Sequence, residues 1–595
     1  MKDLKDREVW GNDIEYYLSL IGYSVGVGNI WRFPYLVMRT GGGAFLIPYF
    51  IFLIFCGIPI YYAECILGQF TGLSGVKAFE FALFFTGIGW AMIFLSLLMS
   101  CYYNVLMAYI IFYLVNCFQT NLPWTTCGNS WNTDACFEYR MIDKASRLLE
   151  LNFRIAEYIA DPRYFSIYRR DCKRFNSYEF CNRILVVGSV LIISASRYAL
   201  NITDVPMEMG SMNWRIFGSF LCAWIITFRC VARGIKTSGK VVYVTALAPF
   251  VFLTILVVRG TTLTGAMVGI KYYLYPNWEK LKNPQIWSTA GRQIFYSLGP
   301  SWGGIICMSS FNKKTTNIKV SSLVLPLICC CTSVYAGIAI YSIIGFMAKS
   351  MGTEDISELN MQTFGLAFIA YPEGLNHLHV PHFWSFCFFF MLFTLGLDSQ
   401  FGTLDTFISG VCDQFPDFFR GQRRLCFTFL VCSGAFLVGI PFCFQGGSYL
   451  FDVFDNYSSS IAVVVIGIFE VIAFGYFYGA KNFIKNVDEM LGKTSPVVKY
   501  FWYSCWYFIT PVFLLPVLGT AFVNMFDIMK NHKGVPYPRW SIFIALSFGA
   551  VISLIIPFKM IYELIANRHN PSRVFKPSQY WLKKTQDQKK ACELK

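Results

Sequence analysis

Twelve long apolar stretches, separated by shorter polar segments, constrain this chain more than any other feature of its sequence. A helix needs about 20 apolar residues to cross a bilayer. The stretches lie at 14–38, 44–70, 87–117, 214–231, 239–258, 290–311, 319–346, 383–411, 423–443, 447–477, 501–527 and 540–566. Because lipid offers no partner to an unpaired backbone group, each stretch should be helical. The sequence therefore predicts an all-α polytopic membrane protein with 12 transmembrane helices.

The composition excludes the other broad classes of protein. Of the 595 residues, 55% are hydrophobic and 14% are charged, whereas a soluble domain carries about 25% charged residues. The same apolar excess excludes a disordered chain and a small disulfide framework. The net charge of +15 comes from basic residues scattered between the apolar stretches. That pattern is typical of cytoplasmic loops and predicts a bilayer as partner, not a nucleic acid.

Basic residues are concentrated in one set of short loops, which predicts that this set is cytoplasmic. They are Arg229, Arg233, Lys236, Lys240, Lys313, Lys314, Lys319, Arg420, Arg423, Arg424, Lys481, Lys485 and Lys493. An even number of spans puts both termini on that side. The predicted divisions are a cytoplasmic tail at 1–13, a membrane domain at 14–566 and a cytoplasmic tail at 567–595. The charged residues 1–13 and the lack of a small-residue cleavage site argue against a signal peptide.

The long loop at 118–213 is then extracellular. Cys127 and Cys136 lie in a polar part of it, where an oxidising environment favours a disulfide between them. Asn201 begins an Asn-Ile-Thr glycosylation sequon in the same loop. Both features agree with the predicted sidedness.

Three spans contain residues that a plain membrane helix would avoid. Residues 22–29 hold three glycines and an asparagine, residues 297–304 hold three glycines and a proline, and Asp398 lies within the eighth span. Glycine and proline free backbone groups that protein, water or a ligand must satisfy. The first two segments fall at matching positions of two five-span halves, which is typical of inverted-repeat transporters. A simpler alternative is that the glycines only allow close helix packing.

Several motifs resemble those of a known family, the sodium- and chloride-dependent neurotransmitter transporters or neurotransmitter:sodium symporters. The matching motifs are residues 28–35 (GNIWRFPY), 41–49 (GGGAFLIPY), 293–299 (QIFYSLG) and 395–401 (LGLDSQF), with Pro123-Trp124 and the cysteines at 127 and 136. The likeness runs from Arg7 to Ser578. It implies a leucine-transporter-like fold, a 5+5 inverted repeat in which helices 1 and 6 are broken at mid-membrane. It also implies transport by alternating access.

The resemblance implies binding sites for sodium, chloride and substrate. The first sodium site would use Ser24, Asn29 and Ser297. The second would use Gly22, Val25, Leu395, Asp398 and Ser399. Chloride would be bound by Tyr49, Gln293, Ser297 and Ser333. The substrate would contact Ser24, Gly26, Tyr103, Tyr296, Ser301 and Trp302.

The resemblance also implies two gates. Arg32 and Asp455 would close the outer side, and Arg7 with Asp413, near Trp10, would close the inner side. Glu64 and Glu470 would be buried structural carboxylates.

The chain departs from the family at four places, one of which is Phe311, in place of the inner-gate tyrosine. Cys329 replaces the asparagine that completes the first sodium site, and a thiol is a poor ligand for a hard cation. We therefore predict that this site is weakened or lost. Arg292, beside Gln293, is also unusual, and extension of its side chain towards the outer surface would explain it. Residues 141–194 do not look familial, and either an extracellular insertion or a retained intron accounts for them.

The substrate is predicted from two pocket residues. Monoamine carriers of the family have an aspartate where this chain has Gly26, so the substrate should bring its own carboxylate. Trp302 narrows the pocket and favours a small ligand. We predict a sodium-coupled, chloride-dependent symporter of a small neutral amino acid, such as glycine or proline, in the plasma membrane. The alternatives are a carrier of GABA or another neurotransmitter, or a transport-deficient, channel-like or sensor-like relative. No constellation of catalytic residues points to an enzyme.

Overall fold

The computed structural model describes residues 9–123, 208–232, 234–313, 316–350, 371–376, 378–419, 421–524, 537–583 and 585–586. Within these ranges the regular structure is helical, apart from two isolated β-bridges. Arg7, Cys127, Cys136, Asn201 and the segment 141–194 lie outside them. The predictions made for those residues therefore stay predictions.

Ten continuous helices among the described residues are long and apolar enough to cross a membrane. With the two broken spans and one connecting helix, the elements are α1 (Asp13–Ser24), α2 (Gly28–Thr40), α3 (Gly43–Thr71), α4 (Leu83–Asn116), α5 (Trp214–Val231), α6 (Gly239–Thr261), α7 (Ala266–Leu274), α8 (Pro284–Leu298), α9 (Gly304–Ser309), α10 (Ile318–Lys349), α11 (Pro381–Gln414), α12 (Gln422–Cys443), α13 (Gly447–Leu491), α14 (Pro496–Val523) and α15 (Arg539–Ala566).

The two spans missing from the continuous set are those that the sequence predicts to be broken. The first is split into α1 and α2, and the sixth into α8 and α9. Each half is too short to cross a bilayer alone, and each pair together accounts for one span. The prediction of an all-α membrane protein with breaks in its first and sixth spans is therefore confirmed. The tenth span differs in length, because its helix continues past 477 to Leu491.

The break in the sixth span depends on left-handed backbone. Gly299, Ser301 and Gly303 have φ of +72°, +66° and +81°. Glycine adopts such angles readily, but serine rarely does. Ser301 is held there by two buried carboxylates: its N–H donates to Glu64, and its hydroxyl donates to Glu470 over 2.9 Å. The carboxylates thus fix the bend between α8 and α9, in agreement with the structural role predicted for them.

The two broken spans meet at an aromatic ring. A Cβ built on Gly299 would lie 2.6 Å from the Tyr23 ring, and one on Gly304 would also overlap it. Only glycine therefore lets α1 pack against both halves of the sixth span. This close approach brings the free backbone groups of the two breaks to one place in the centre of the protein.

Candidate functional site

A cavity of about 80 Å³ lies between the two breaks. A water needs about 10–15 Å³ of such volume, so the cavity holds a ligand of about five to eight water-sized groups. The predicted site residues that line it are Ser24, Gly26, Asn29, Arg32, Tyr103, Gln293, Tyr296, Trp302, Ser399 and Asp455. Residues that are far apart in sequence are thus brought together as the prediction requires.

Gly26 leaves open the space that a side chain would fill. A Cβ at this position would lie 2.7 Å from the Ser399 hydroxyl oxygen and 3.7 Å from the Tyr103 hydroxyl oxygen. The Tyr103 hydroxyl is buried and makes no close hydrogen bond among the described residues, and its polar neighbours are the Ser399 hydroxyl and the Val27 backbone. A phenol hydroxyl can donate to a carboxylate. The space at Gly26 is therefore suited to a ligand that carries its own anionic group.

We expect Gly26→Ala to weaken substrate uptake. The added methyl group would overlap the Ser399 hydroxyl, and overpacking of this kind costs about 1–3 kcal/mol, which is a factor of about 5 to 150 in affinity. Concentration dependence of uptake, normalised to surface expression, measures the effect. Gly218→Ala is the matched control, because a Cβ there meets nothing within 4 Å. An unchanged KM for Gly26→Ala would contradict the assignment of this space to the substrate.

Two aromatic residues of the sixth span close other sides of the cavity. The Trp302 ring lies edge-on to the Tyr296 ring, with centroids 5.9 Å apart. The Trp302 indole N–H donates to the Phe295 carbonyl over 3.3 Å, which fixes its orientation. Ser301 lies beside this cavity and does not belong to its lining, because its polar groups are directed to Glu64 and Glu470.

A carboxylate and backbone oxygens meet near the first break. Asp398 is 2% exposed, and one carboxylate oxygen accepts a hydrogen bond from Thr245, while the other has no partner among the described residues. The orphaned oxygen abuts the backbone at Gly22, where a Cβ would overlap it. The Ser399 hydroxyl donates to the Tyr23 carbonyl over 3.4 Å. A buried, half-paired carboxylate beside a broken helix is suited to a cation.

Thr245 is a site residue that the sequence analysis missed. It ends a helical segment of α6, one residue before the chain interrupts that helix at Ala246 and Leu247. Its contact with Asp398 joins positions 153 residues apart. The only signal in the sequence is Pro249, which predicts a break in α6 but not what the residues before it contact.

The predicted first sodium site is occupied by a thiol. The Cys329 sulfur lies 3.2 Å from the Ser24 carbonyl oxygen and 3.3 Å from that of Ser297, at distances for S–H donation. It also accepts from the Asn29 amide over 3.2 Å. The Ser297 hydroxyl donates to the Asn29 side-chain oxygen over 3.1 Å. The three expected ligands are therefore together, and the Cys329 sulfur lies among them.

Four residues predicted for chloride surround the same region. The Tyr49 hydroxyl donates to the Ser297 hydroxyl over 3.5 Å, and the Ser333 hydroxyl donates to the Cys329 carbonyl over 3.2 Å. Gln293 is 2% exposed, and neither atom of its amide group has a partner among the described residues. Hydroxyl and amide N–H donors of this kind suit a small anion.

Arg32 and Asp455 form an ion pair on the outer side of the cavity, with nitrogen and oxygen 3.1 Å apart. The Arg32 guanidinium stacks on the Tyr296 ring, 3.9 Å from its centroid. The Tyr296 hydroxyl contacts the Asp455 carbonyl at 3.0 Å. Asp455 itself lies in a π-helical segment of α13, Phe454–Ser458, a distortion that often marks functional sites.

The inner side is closed by Trp10. Its indole N–H donates to the Met308 carbonyl over 2.9 Å, and its ring packs edge-on against Phe311. Asp413 accepts hydrogen bonds from both the backbone and the hydroxyl of Ser74. The partner predicted for Asp413, Arg7, lies outside the described residues. The inner pair is therefore not tested.

Broken helices around a small central cavity, with polar closures on both sides, define a secondary transporter of the membrane. A model of the sodium:neurotransmitter symporter family matches residues 7–567. The chain therefore belongs to this family. Membership confirms the predicted class, a sodium-coupled symporter and not an enzyme.

Three named relatives are similar in sequence to this chain over most of its length. It is 38% identical over 560 residues to sodium- and chloride-dependent glycine transporter 2 of Xenopus laevis, covering 94% of this chain and 70% of that protein. It is 37% identical over 580 residues to glycine transporter 1 of the same species, covering 97% and 88%. It is 37% identical over 573 residues to the human sodium- and chloride-dependent neutral and basic amino acid transporter B(0+), covering 95% and 87%.

Proposed function

We propose that this protein carries a small neutral amino acid, with glycine as the first candidate and proline as the second, into the cell together with sodium and chloride. The observation that carries the proposal is the space at Gly26, which faces the hydroxyls of Ser399 and Tyr103. A substrate carboxylate fits that space. The cavity of about 80 Å³ suits ligands of the size of glycine or proline. Two relatives named as glycine transporters support the first candidate.

In this proposal Asp398 is the charged ligand of the cotransported sodium. The Gly22, Val25 and Leu395 carbonyls and the Ser399 hydroxyl complete the site. Oxygen donors and a carboxylate suit a hard cation. Chloride is held by the cluster of Tyr49, Gln293, Ser297 and Ser333. The chloride dependence in the names of the relatives supports this assignment.

The transport cycle alternates between the two closures. With Arg32 and Asp455 apart, sodium, chloride and the amino acid enter from outside. Pairing of these residues closes the outer side, and release of Trp10 from Met308 then opens the inner side. The protein acts in the plasma membrane with both termini in the cytoplasm, and the loop at 118–213 carries the Cys127–Cys136 disulfide and a glycan on Asn201.

Uptake of labelled glycine, proline, alanine and GABA by cells that express the full chain tests the proposal. Sodium is compared with choline, and chloride with gluconate. We expect glycine or proline uptake that requires both ions and does not occur in untransfected cells. Sodium-dependent uptake of GABA alone would overturn the proposal that the substrate is glycine or proline. Absence of any uptake, with the protein present at the surface, would overturn the transport function.

A further inference from the structure

Arg292, on α8, faces the outer path to the cavity and has no acidic partner within the part of the chain that the structure describes. Arg292 and Tyr296 are four positions apart on α8, and both are less buried than the three residues between them. Residues with this spacing lie on one face of a helix. Tyr296 lines the cavity and stacks on Arg32. Arg292 therefore lies one helical turn outside the Arg32–Asp455 pair, on the face that leads to the cavity.

The surroundings of Arg292 do not neutralise its charge. Its Nε is buried and has no hydrogen-bond partner among the described residues. The charged groups that act on it are two further arginines, Arg32 and Arg39. Arg32 already uses Asp455. Burial of an unpaired charge is costly. The guanidinium at this position is therefore expected to bind an anionic ligand that compensates for that cost.

Arg32, Arg39 and Arg292 give the outer path to the Arg32–Asp455 gate a positive charge. Arg32 and Arg39 are seven residues apart on α2 and so share one face of that helix. Asp455 is the one carboxylate that pairs with any of the three among the described residues. The remaining positive charge is available to an anionic group that arrives from outside.

We propose that Arg292 binds the carboxylate of the incoming amino acid on the outer side of the gate, before Arg32 and Asp455 close. The inference rests on the proposed function. A guanidinium presents paired N–H donors that match a carboxylate, and such charge-assisted bonds are strong. The carboxylate then moves inward to the space at Gly26, which lies beyond the gate.

A second consequence concerns specificity. A cationic amino acid carries an additional positive charge past Arg292, Arg32 and Arg39, whereas a neutral amino acid does not. Repulsion between like charges raises the free energy of the cationic ligand in the approach. Arg292 should therefore favour neutral over basic amino acids as well as speed their capture.

The test compares Arg292→Gln, Arg292→Lys and the wild type in uptake of the amino acid that the wild type transports. Sodium, chloride and surface expression are held equal. We expect Arg292→Gln to raise KM about tenfold or more, with maximal rate little changed. Arg292→Lys should recover part of the loss. Lysine, used as a competitor, should inhibit Arg292→Gln several-fold better than the wild type, an effect that a purely structural role would not produce.

Lys271→Gln is the matched control, because it removes one exposed positive charge from α7, a helix that does not line the cavity. It should leave KM unchanged. If Arg292→Gln reaches the surface with an unchanged KM, Arg292 only extends to solvent and the inference is wrong. If the variant raises the chloride concentration needed for half-maximal uptake but not the substrate KM, the ligand is chloride and the inference is again wrong. If the wild type itself transports no amino acid, the proposed transport function is wrong, and not only the role of Arg292.

Discussion

Asp398→Asn is expected to abolish sodium-dependent uptake. The substitution keeps the size of the side chain but removes the charge that would neutralise a bound cation. Asp398 is 2% exposed, so no solvent replaces that charge. Removing one partner of a buried charge pair costs about 3–5 kcal/mol, which corresponds to about a hundredfold or more in sodium affinity. Uptake and substrate binding as functions of sodium concentration measure the loss.

Asp405→Asn is the matched control on the same helix. Asp405 pairs with Arg424 over 3.6 Å, and both side chains are partly exposed. Such pairs contribute little to stability, and Asp405 is not among the predicted sodium ligands, so this variant should keep the sodium affinity of the wild type. Asp398→Asn should still reach the surface, since the Thr245 hydroxyl can donate to the amide oxygen. Normal sodium affinity in Asp398→Asn would show that the cation binds elsewhere.

The spans and their breaks could be predicted because they depend on local composition. Apolar length fixes the helices, and glycine and proline at mid-membrane depth fix the interruptions. The motifs at residues 22–29 and 297–304 therefore predict both the position of the cavity and most of its lining. The continuation of α13 to Leu491 was missed because its last turns are amphipathic and do not prolong the apolar run.

Contacts between elements could not be predicted in the same way. Thr245 bonds Asp398, and Ser301 is held between Glu64 and Glu470, over separations of 153 to 237 residues. Each depends on how two helices pack, and a slight rotation of either would remove it. The sequence places Ser301 near the substrate by analogy, whereas its left-handed backbone turns its polar groups to the carboxylates. Side-chain direction at a helix break is set by such tertiary contacts.

Cys329→Asn is expected to raise the Hill coefficient for sodium from about 1 to about 2. A Hill coefficient rises with the number of coupled sites, up to that number. In the wild type the Cys329 sulfur contacts the Ser24 and Ser297 carbonyl oxygens, which a sodium ion would need, and it accepts a hydrogen bond from the Asn29 amide N–H. Sulfur is a soft ligand, whereas sodium is a hard cation that prefers oxygen. An amide oxygen would replace the thiol with a suitable donor.

The expected gain also appears in how strongly the protein concentrates its substrate. One further charge moved inward across 100 mV adds about 2.3 kcal/mol, or about 50-fold in the limiting accumulation ratio. Flux of labelled sodium per amino acid in vesicles tests the stoichiometry directly. Cys329→Ala, which removes the thiol without adding an oxygen, should keep a Hill coefficient of about 1. If the wild type already moves two sodium ions, or if Cys329→Asn changes neither measure, the thiol does not displace a sodium ion, and Cys329 must move aside when the cation binds.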